Sequence, residues 1–248
     1  MEGNHSMESG KTPHLTADCV YNAFLSSGKR HLLLTGGRGK SAPSVHDDVF
    51  VVDLERPFGA VGCVIMASGQ GKRFGGNKLM AAFDGAPMIC RILDATTCFK
   101  RRVVVTRHAD VALLCRERGI ETVLHTLPLR SDTVRLGLEA LEGVTGCMFC
   151  PADQPLLRAD TVRALALCAA NDPASIWRVT AAGQVGTPTL FPQWCFPELR
   201  SLPEGKGGGV LAKKYPERVR YLTVADPGEL MDVDTPEDLL RLQSAYIK

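Results

Sequence analysis

The stretch VGCVIMASGQGKRFGGNK, residues 61–78, decides the fold of this chain. It opens with a short apolar run over residues 61–67 and continues into a basic, glycine-rich loop. An apolar run of this length that ends in glycines is typical of a strand buried on both faces of a parallel sheet. Ligands of open α/β sheets bind at the carboxyl ends of the strands. The loop that follows residue 67 is therefore predicted to lie at a binding site.

Strand and helix patterns alternate at least three times after this stretch, which favours an α/β fold with a mostly parallel, mixed central sheet. The expected strands are 61–67, 102–107, 121–125 and 146–153, and the expected helices are 86–99, 109–119, 131–143 and 158–171. Ser131 is predicted to cap the third of these helices, and Asp160 lies near the start of the fourth. Towards the end of the chain we expect two strands around a turn in 175–192, a glycine loop and short helix in 204–216, a strand at 218–224 and a helix over 234–247.

Composition narrows the class of protein. The 248 residues are 45% hydrophobic and 23% charged, with a formal net charge of +2, which is ordinary for a globular protein. So mild a charge does not predict a nucleic-acid partner. No apolar run approaches the roughly 20 residues that span a bilayer, and MEGNHSMESGK at the start lacks the apolar core of a signal peptide. We expect a cytoplasmic protein without a membrane partner.

The first 58 residues differ from the rest. Residues 1–18 are polar and expected to be mobile, and short strands are predicted at 31–37 and 49–54. We therefore predict an N-terminal appendage of unknown role over residues 1–58 and a main domain over 59–248. The appendage contains GGRGKS at 36–41, which resembles a Walker A loop but is two residues short and is followed by Pro43 where a helix should begin.

Nine cysteines are present, most of them in apolar segments, which predicts buried thiols rather than a disulfide framework. The CMFC stretch at 147–150 has the C-x-x-C spacing, but it lies in an expected strand, where positions i and i+3 face opposite sides. Core packing is favoured over a metal or redox role.

The loop of residues 68–77 has the chemistry of a phosphate site. Glycines allow close approach of backbone N–H groups, and lysine and arginine add charge. It is not the dinucleotide fingerprint, because Phe74 stands where the third glycine belongs, and it is not a Walker A loop. From composition alone, a solvated loop between strand and helix fits as well as a phosphate cradle.

Six motifs in order resemble those of the MobA-like nucleotidyltransferases over roughly residues 61 to 245. They are ASGQGKRFGGNKL (67–79), RSDTVRLGLEAL (130–141), PADQPLL (151–157), GTPTLFP (186–192), EGKGGGVLAKKYP (204–216) and DVDTPEDL (232–239). The resemblance implies a three-layer, Rossmann-like nucleotidyltransferase fold. Within the family the chain is most similar to the molybdenum cofactor cytidylyltransferases, because Ala67-Ser68-Gly69 stands where the guanylyltransferase branch has L-A-G-G.

The resemblance also implies site residues. Arg73, Lys78 and Asp153 are expected to be catalytic, with the two cations on the phosphates. The residues expected at the nucleotide are Ala67, Ser68, Gly69, Gly71, Gly75, Gly76, Ser131, Asp132 and Arg135. Gly186, Thr187 and Pro188 are expected to border the acceptor. The glycines of 205–209 either bind a second anion or form a flexible turn.

Mg²⁺ is the implied cofactor, with Asp153 and Asp234 as its expected ligands. Asp153 also fits a turn residue, Asp234 also fits a helix cap, and Asp232 is an alternative metal ligand. The implied substrates are CTP, or GTP, and molybdopterin, and a molybdenum hydroxylase is a possible recipient of the product. No Ser-His-Asp set is apparent in the sequence, and His108 and His125 stand alone.

Three alternatives stay open: a guanylyltransferase of the same family, a nucleotidyltransferase for a sugar or polyol phosphate, and a non-catalytic carrier of molybdopterin. A carrier has no need of a metal–triphosphate site.

Overall fold

A computed structural model describes residues 22–26, 29–38, 48–53 and 57–246. The strands in these residues are β1 (Asn22–Ser26), β2 (Lys29–Arg38), β3 (Asp48–Asp53), β4 (Val61–Ala67), β5 (Ala82–Phe83), β6 (Ala86–Pro87), β7 (Arg102–Thr106), β8 (Glu121–Leu124), β9 (Gly146–Pro151), β10 (Ile176–Ala181), β11 (Gln184–Pro192) and β12 (Val219–Thr223). The α-helices are α1 (Ile89–Ala95), α2 (Ala109–Glu117), α3 (Arg130–Ala140), α4 (Ala159–Asn171), α5 (Phe196–Arg200), α6 (Gly209–Lys214) and α7 (Pro236–Tyr246).

Ten of the described strands form one mixed sheet, in the order β1-β2-β12-β10-β11-β9-β4-β7-β8, with β3 also paired to β2. Strands β9, β4, β7 and β8 are parallel to their neighbours in that series, and β10 is parallel to β12. Strand β11 runs antiparallel between β9 and β10. The mostly parallel, mixed sheet predicted from the alternating patterns is confirmed.

Helices cover both faces of this sheet, so the fold has three layers. Strand residues alternate between two core clusters because successive side chains of a strand point to opposite faces. Cys63 and Ile65 of β4 pack with α1, α2, α4 and α7, whereas Val64 packs with α3, α5 and α6. The α/β Rossmann-like fold expected from the motifs is confirmed.

The CMFC stretch follows the same rule. Cys147 lies in one core cluster and Cys150 in the other, so the two thiols cannot act as a pair. Burial raises the pKa of the Cys147 thiol well above its usual range. All eight cysteines in the described residues are free thiols, and Cys19 lies outside those residues. The prediction of packed thiols is confirmed for the described part of the chain.

The predicted start of the first helix and the predicted caps of two others are wrong. Residues 86–87 form the short strand β6 against β5, so the first helix begins only at Ile89. Helix α3 begins at Arg130 with Leu129 as its cap, and α4 begins at Ala159 without a side-chain cap. Ser131 therefore does not cap α3. Instead the side chain of Asp132 accepts a hydrogen bond from the Leu129 backbone N–H at 3.1 Å.

Strands β1 to β3 join the main sheet through the pairing of β2 with β12. Gly36 to Arg38 of the GGRGKS stretch lie within β2, opposite Leu222 to Arg220. These three residues form a paired strand instead of a phosphate loop, and the rest of the stretch lies outside the described residues, as do residues 1–18. The boundary near residue 58 stays a prediction.

None of the helices in the described ranges combines the length and the apolar character needed to cross a membrane.

Candidate active site

The strand order places a crevice beside the glycine loop. The chain passes from β4 outward to β7 and β8 and then returns to β9 on the other side of β4. Ligands of doubly wound sheets bind at such a reversal point, outside the carboxyl ends of the strands. The loop of residues 68–77 follows the carboxyl end of β4, and Asp153 lies two residues beyond the carboxyl end of β9.

Gly71 is the conformational centre of the loop. Its φ is 60°, in the left-handed region that favours glycine, and its carbonyl accepts hydrogen bonds from the N–H groups of Phe74 and Gly75 at 2.9 and 3.1 Å. A Cβ atom there would lie 2.2 Å from the Gly76 carbonyl oxygen. The close turn at Gly71 thus fixes the path of the backbone as far as Lys78.

Lys78 is the most enclosed charge of the site, with 7% of its surface exposed. Its ammonium donates to Asp153 Oδ2 at 2.8 Å, to the Val233 carbonyl at 2.6 Å and to Asp234 Oδ1 at 3.1 Å. Burial alone would lower the pKa of Lys78, but the charges and hydrogen bonds of the two carboxylates outweigh it and raise the pKa. Lys78 is therefore held as a fully charged ammonium.

Arg73 reaches the same cluster from the outside. Its guanidinium donates to Asp234 Oδ2 at 2.8 Å, and 72% of its side chain is exposed. The structure thus brings together Arg73, Lys78, Asp153 and Asp234, which lie up to 161 positions apart in the sequence. Lys72 is exposed on the same loop. An exposed arginine beside an enclosed lysine suits a phosphate chain that enters from solvent.

Asp153 and Asp234 have the donor chemistry for Mg²⁺. Both carboxylates already bind one cation, the Lys78 ammonium, from two different segments. Mg²⁺ is commonly held by one or two carboxylates together with substrate phosphates. Across residues 57–246 and the shorter described ranges, no three His, Cys, Asp or Glu side chains gather as a metal site. With two carboxylates side by side, Asp153 and Asp234 fit a divalent ion that substrate phosphates also hold.

Asp232, the alternative metal ligand, has a different partner. Its Oδ1 accepts a hydrogen bond from Gln154 Nε2 at 2.9 Å. Burial raises the pKa of the Asp232 carboxyl group, and the charge of Asp153 acts in the same direction. Gln154 is 2% exposed and also donates to Thr187 Oγ1 at 2.9 Å. The motif at 151–155 indicated Asp153 but gave no reason to expect that Gln154 would link three segments.

A cavity of about 470 Å³ opens beside these groups. Its walls include Ser68 and Gly69 of the loop, the acidic residues Asp153 and Asp232, and Gly207 to Gly209. Gly208 has no room for a side chain there, because a Cβ atom would lie 2.5 Å from the Phe191 ring. The cavity therefore reaches from the glycine loop of residues 68–77 to the segment before α6.

The residues predicted on the base or ribose side, Ser131, Asp132 and Arg135, do not line the cavity. Arg130, Thr133 and Val134 line the cavity, as residues at i, i+3 and i+4 of one helix face must. Ser131 and Asp132 lie off this face, and Arg135 is paired with Glu139 at 3.1 Å. Thr133 is the α3 hydroxyl that lines the cavity, and sequence reasoning missed it because the motif indicated Ser131.

Only one of the three predicted acceptor residues lines the cavity. It is Thr187, whereas Gly186 and Pro188 are not among the lining residues. The Gly186 carbonyl accepts a hydrogen bond from Arg178 Nη2 at 3.3 Å, and Arg178 also lines the cavity. Sequence reasoning missed Arg178, because a strand arginine followed by apolar residues carries no motif.

Ser68 and His125 form a pair that the sequence did not reveal. Ser68 Oγ lies 2.8 Å from His125 Nε2 and donates to the Val105 carbonyl at 3.1 Å. Burial lowers the pKa of His125, and the charge of Arg107 adds to this effect. His108 Nε2 lies 2.7 Å from the Gly69 carbonyl. The two histidines therefore support the backbone and side chain of the loop from the β7 side.

The remaining predicted nucleotide residues serve the loop in different ways. Ala67 is buried, and its carbonyl accepts a hydrogen bond from Thr106 Oγ1 at 3.0 Å. Gly69 lines the cavity, whereas Gly71 shapes the turn. Gly75 has a φ of 77°, and a Cβ atom on Gly75 or Gly76 would meet no atom within 4 Å. Their roles towards a nucleotide stay predictions.

Comparison with known proteins places the chain in a family. The family model described as "MobA-like NTP transferase domain" matches residues 63–219, more than half of the chain. The chain is 28% identical over 196 residues to the purine catabolism protein PucB of Bacillus subtilis (strain 168), covering 71% of this chain and 92% of that protein.

Solved structures agree with this result. The crystal structure of Rv0371c from Mycobacterium tuberculosis H37Rv is 25% identical with a TM-score of 0.67, covering 74% of this chain and 98% of that one. Its manganese complex is 23% identical with a TM-score of 0.61, covering 75% and 98%. A CMP:2-keto-3-deoxy-manno-octonic acid synthetase complexed with CTP shares the fold at 13% identity, with a TM-score of 0.62 and coverage of 75% and 97%. This chain belongs to the MobA-like NTP transferase family and is a nucleotidyltransferase.

Proposed function

We propose that the protein joins CMP from CTP to the terminal phosphate of molybdopterin, with Mg²⁺ and with release of pyrophosphate. The observation that carries this proposal is the convergence of Lys78, Asp153 and Asp234 at the mouth of a cavity that adjoins the glycine loop. Nucleotidyl transfer needs alignment and charge neutralisation more than covalent catalysis, and these groups supply both.

The leaving pyrophosphate is assigned to the loop. The guanidinium of Arg73 is exposed on this loop, where charge-assisted hydrogen bonds to phosphate oxygens can form. Lys78 is assigned to the α-phosphate, because its ammonium is held between the two carboxylates at the entrance to the cavity. Asp153 and Asp234 would hold the metal ion, which when bound neutralises charge on the phosphates.

The acceptor occupies the rest of the cavity, towards Thr187 and Gly207 to Gly209. One oxygen of its terminal phosphate bonds to the α-phosphorus of CTP while the bond to the bridging oxygen of pyrophosphate breaks. A phosphate monoester has a second pKa of about 6, so it is already a nucleophile near neutral pH. The reaction therefore needs no general base, and His125 is engaged with Ser68 rather than with the acceptor.

The choice of CTP rests on the Ala67-Ser68-Gly69 start of the loop. A complex with CTP in a protein of the same fold supports a cytosine nucleotide in this architecture, although that likeness extends only to the fold. The name of PucB refers to purine catabolism and leaves the acceptor open. We place the reaction in the cytoplasm, with a molybdenum hydroxylase as the recipient of the product.

Thermal unfolding with each nucleotide tests the proposal. A ligand that binds the native state raises the melting temperature, and at equal concentration the tighter ligand raises it more. We expect CTP with Mg²⁺ to raise it more than GTP with Mg²⁺, and we expect pyrophosphate release only when molybdopterin is also present. A larger shift with GTP would favour the guanylyltransferase. Pyrophosphate release with a sugar or polyol phosphate, but not with molybdopterin, would reassign the acceptor.

The carrier alternative makes the opposite prediction. A protein that only binds and delivers molybdopterin would bind it without nucleotide and release no pyrophosphate under any condition.

A further inference from the structure

Arg178 is a cation inside the cavity for which the proposed chemistry has no use so far. It lies on β10 and is partly buried, and its Nε atom is buried without a hydrogen-bond partner. Its one hydrogen bond in the described structure runs from Nη2 to the Gly186 carbonyl at 3.3 Å, near the limit for such a bond. Most of its donor capacity is therefore unused, since a guanidinium has five N–H donors.

No carboxylate in the described residues compensates this charge. The ion pairs of the site involve Arg73 and Lys78, and Arg178 forms none within the described ranges. Burial lowers the pKa of Arg178, and the neighbouring Tyr221 acts against that change. A partly buried charge without a partner destabilises the protein unless another charge meets it. Its position on the cavity wall shows where that charge would come from.

We propose that Arg178 selects an acceptor that carries an anionic group, a phosphate or carboxylate, by binding that group with its planar fork. The proposal rests on the proposed function only in that the cavity holds the acceptor. Arg130 also lines the cavity, but it is exposed and packs against Gly207. Arg178 is therefore the arginine that binds the anionic group of the acceptor. Arg178 thereby determines the class of acceptor, while Arg73 and Lys78 serve the phosphates of the nucleotide.

The first test uses inorganic phosphate as the probe and does not require turnover. In an Arg73→Met background, which weakens the loop site, phosphate is titrated while the melting temperature is followed. We expect the phosphate-induced shift to fall by at least half when Arg178→Met is added. Arg220→Met is the matched control, because Arg220 lies on the adjacent strand and donates to the carbonyls of Glu217 and Val219. It should leave the shift unchanged.

The second test separates acceptor from nucleotide. Arg178→Met should raise the KM for the acceptor by about tenfold or more, and leave the KM for the nucleotide within about twofold, because a charge-assisted hydrogen bond is lost on one side only. Arg178→Lys should restore part of the loss, since it keeps the charge but not the fork. The wild type and Arg178→Met should bind an acceptor analogue that lacks the phosphate with the same affinity.

The outcomes distinguish this inference from the proposed function. If molybdopterin proves to be the wrong acceptor while the phosphate response still depends on Arg178, the inference stands and only the substrate changes. An undiminished phosphate response in Arg178→Met overturns it, whether or not the variant is less stable. In that case Arg178 only supports the Gly186 carbonyl.

Discussion

The ammonium of Lys78 lies 2.8 Å from Asp153 Oδ2, although Lys78 follows β4, Asp153 follows β9, and the two residues are 75 positions apart. The lysine neutralises the two carboxylates that we propose as metal ligands. The same carboxylates raise the pKa of the lysine and so keep it charged. One ion-pair cluster therefore preserves both parts of the site in the unliganded protein.

Asp153→Asn tests the metal role directly. The amide keeps the shape of the carboxylate but removes the negative charge, so we expect turnover to fall by about a thousandfold or more. The fold should survive, because Lys78 keeps Asp234 and the Val233 carbonyl. Pyrophosphate release and circular dichroism measure the two effects. Asp160→Asn on α4, outside the cavity, is the control, and full activity in Asp153→Asn would remove Asp153 from the metal site.

Lys78→Met should change metal binding as well as turnover. Removing the ammonium leaves Asp153 and Asp234 without their shared partner, so we expect a loss of about 1–3 kcal/mol in the free energy of unfolding. Millimolar Mg²⁺ should recover part of this loss in the variant and have a smaller effect on the wild type, because only the variant offers free carboxylates. Urea denaturation with and without Mg²⁺ measures this. Equal effects of Mg²⁺ on both proteins would show that Lys78 and the ion do not compete.

Gly71→Ala should disturb the loop far more than Gly76→Ala. A Cβ atom at Gly71 would collide with the Gly76 carbonyl oxygen at 2.2 Å and would force a left-handed backbone on alanine, whereas one at Gly76 meets no atom within 4 Å. We expect the nucleotide Kd to rise by about tenfold or more for Gly71→Ala and by less than about threefold for Gly76→Ala. Calorimetric titration compares them, and similar affinities would mean that the turn is not needed for binding.

Thr133 and Ser131 form a matched pair of hydroxyls on α3. Only Thr133 faces the cavity, so Thr133→Val should weaken nucleotide binding by about fivefold, the value of one hydrogen bond. Ser131→Ala should leave the nucleotide Kd unchanged. The reverse order would restore Ser131 as the contact residue indicated by the motif.

His125 should make the protein less stable in mild acid. Its folded-state pKa lies below the ordinary value of 6.5, so the unfolded chain binds the proton more tightly. This contribution to stability is complete above pH 6.5 and is lost as the pH falls towards the folded-state pKa. His125→Gln should flatten the fall in the free energy of unfolding over that range. An unchanged slope would assign the pH dependence to other groups.

Local patterns were sufficient for much of the fold. Continuous apolar runs gave the parallel strands β4, β7 and β9, because strands of this kind are buried on both faces. The same logic correctly assigned Cys147 and Cys150 to opposite faces. Helix starts were less secure, since Ser131 is a good capping residue in isolation but Leu129 caps α3. The motif indicated Ser131 as the hydroxyl near the nucleotide, whereas Thr133 is the α3 hydroxyl that lines the cavity.

Glycine loops, acidic motifs and strand patterns are local signals, and with the family resemblance they were sufficient to predict the fold class, the family and the four charged residues of the ion-pair cluster. No local signal predicted that Gln154 links Asp232 to Thr187, that Ser68 pairs with His125, or that Arg178 lies in the cavity without a carboxylate partner in the described residues. These relationships depend on which strands are neighbours in the sheet. Strand order is set by the packing of the whole chain, so residues dozens of positions apart become partners without any signal in either segment.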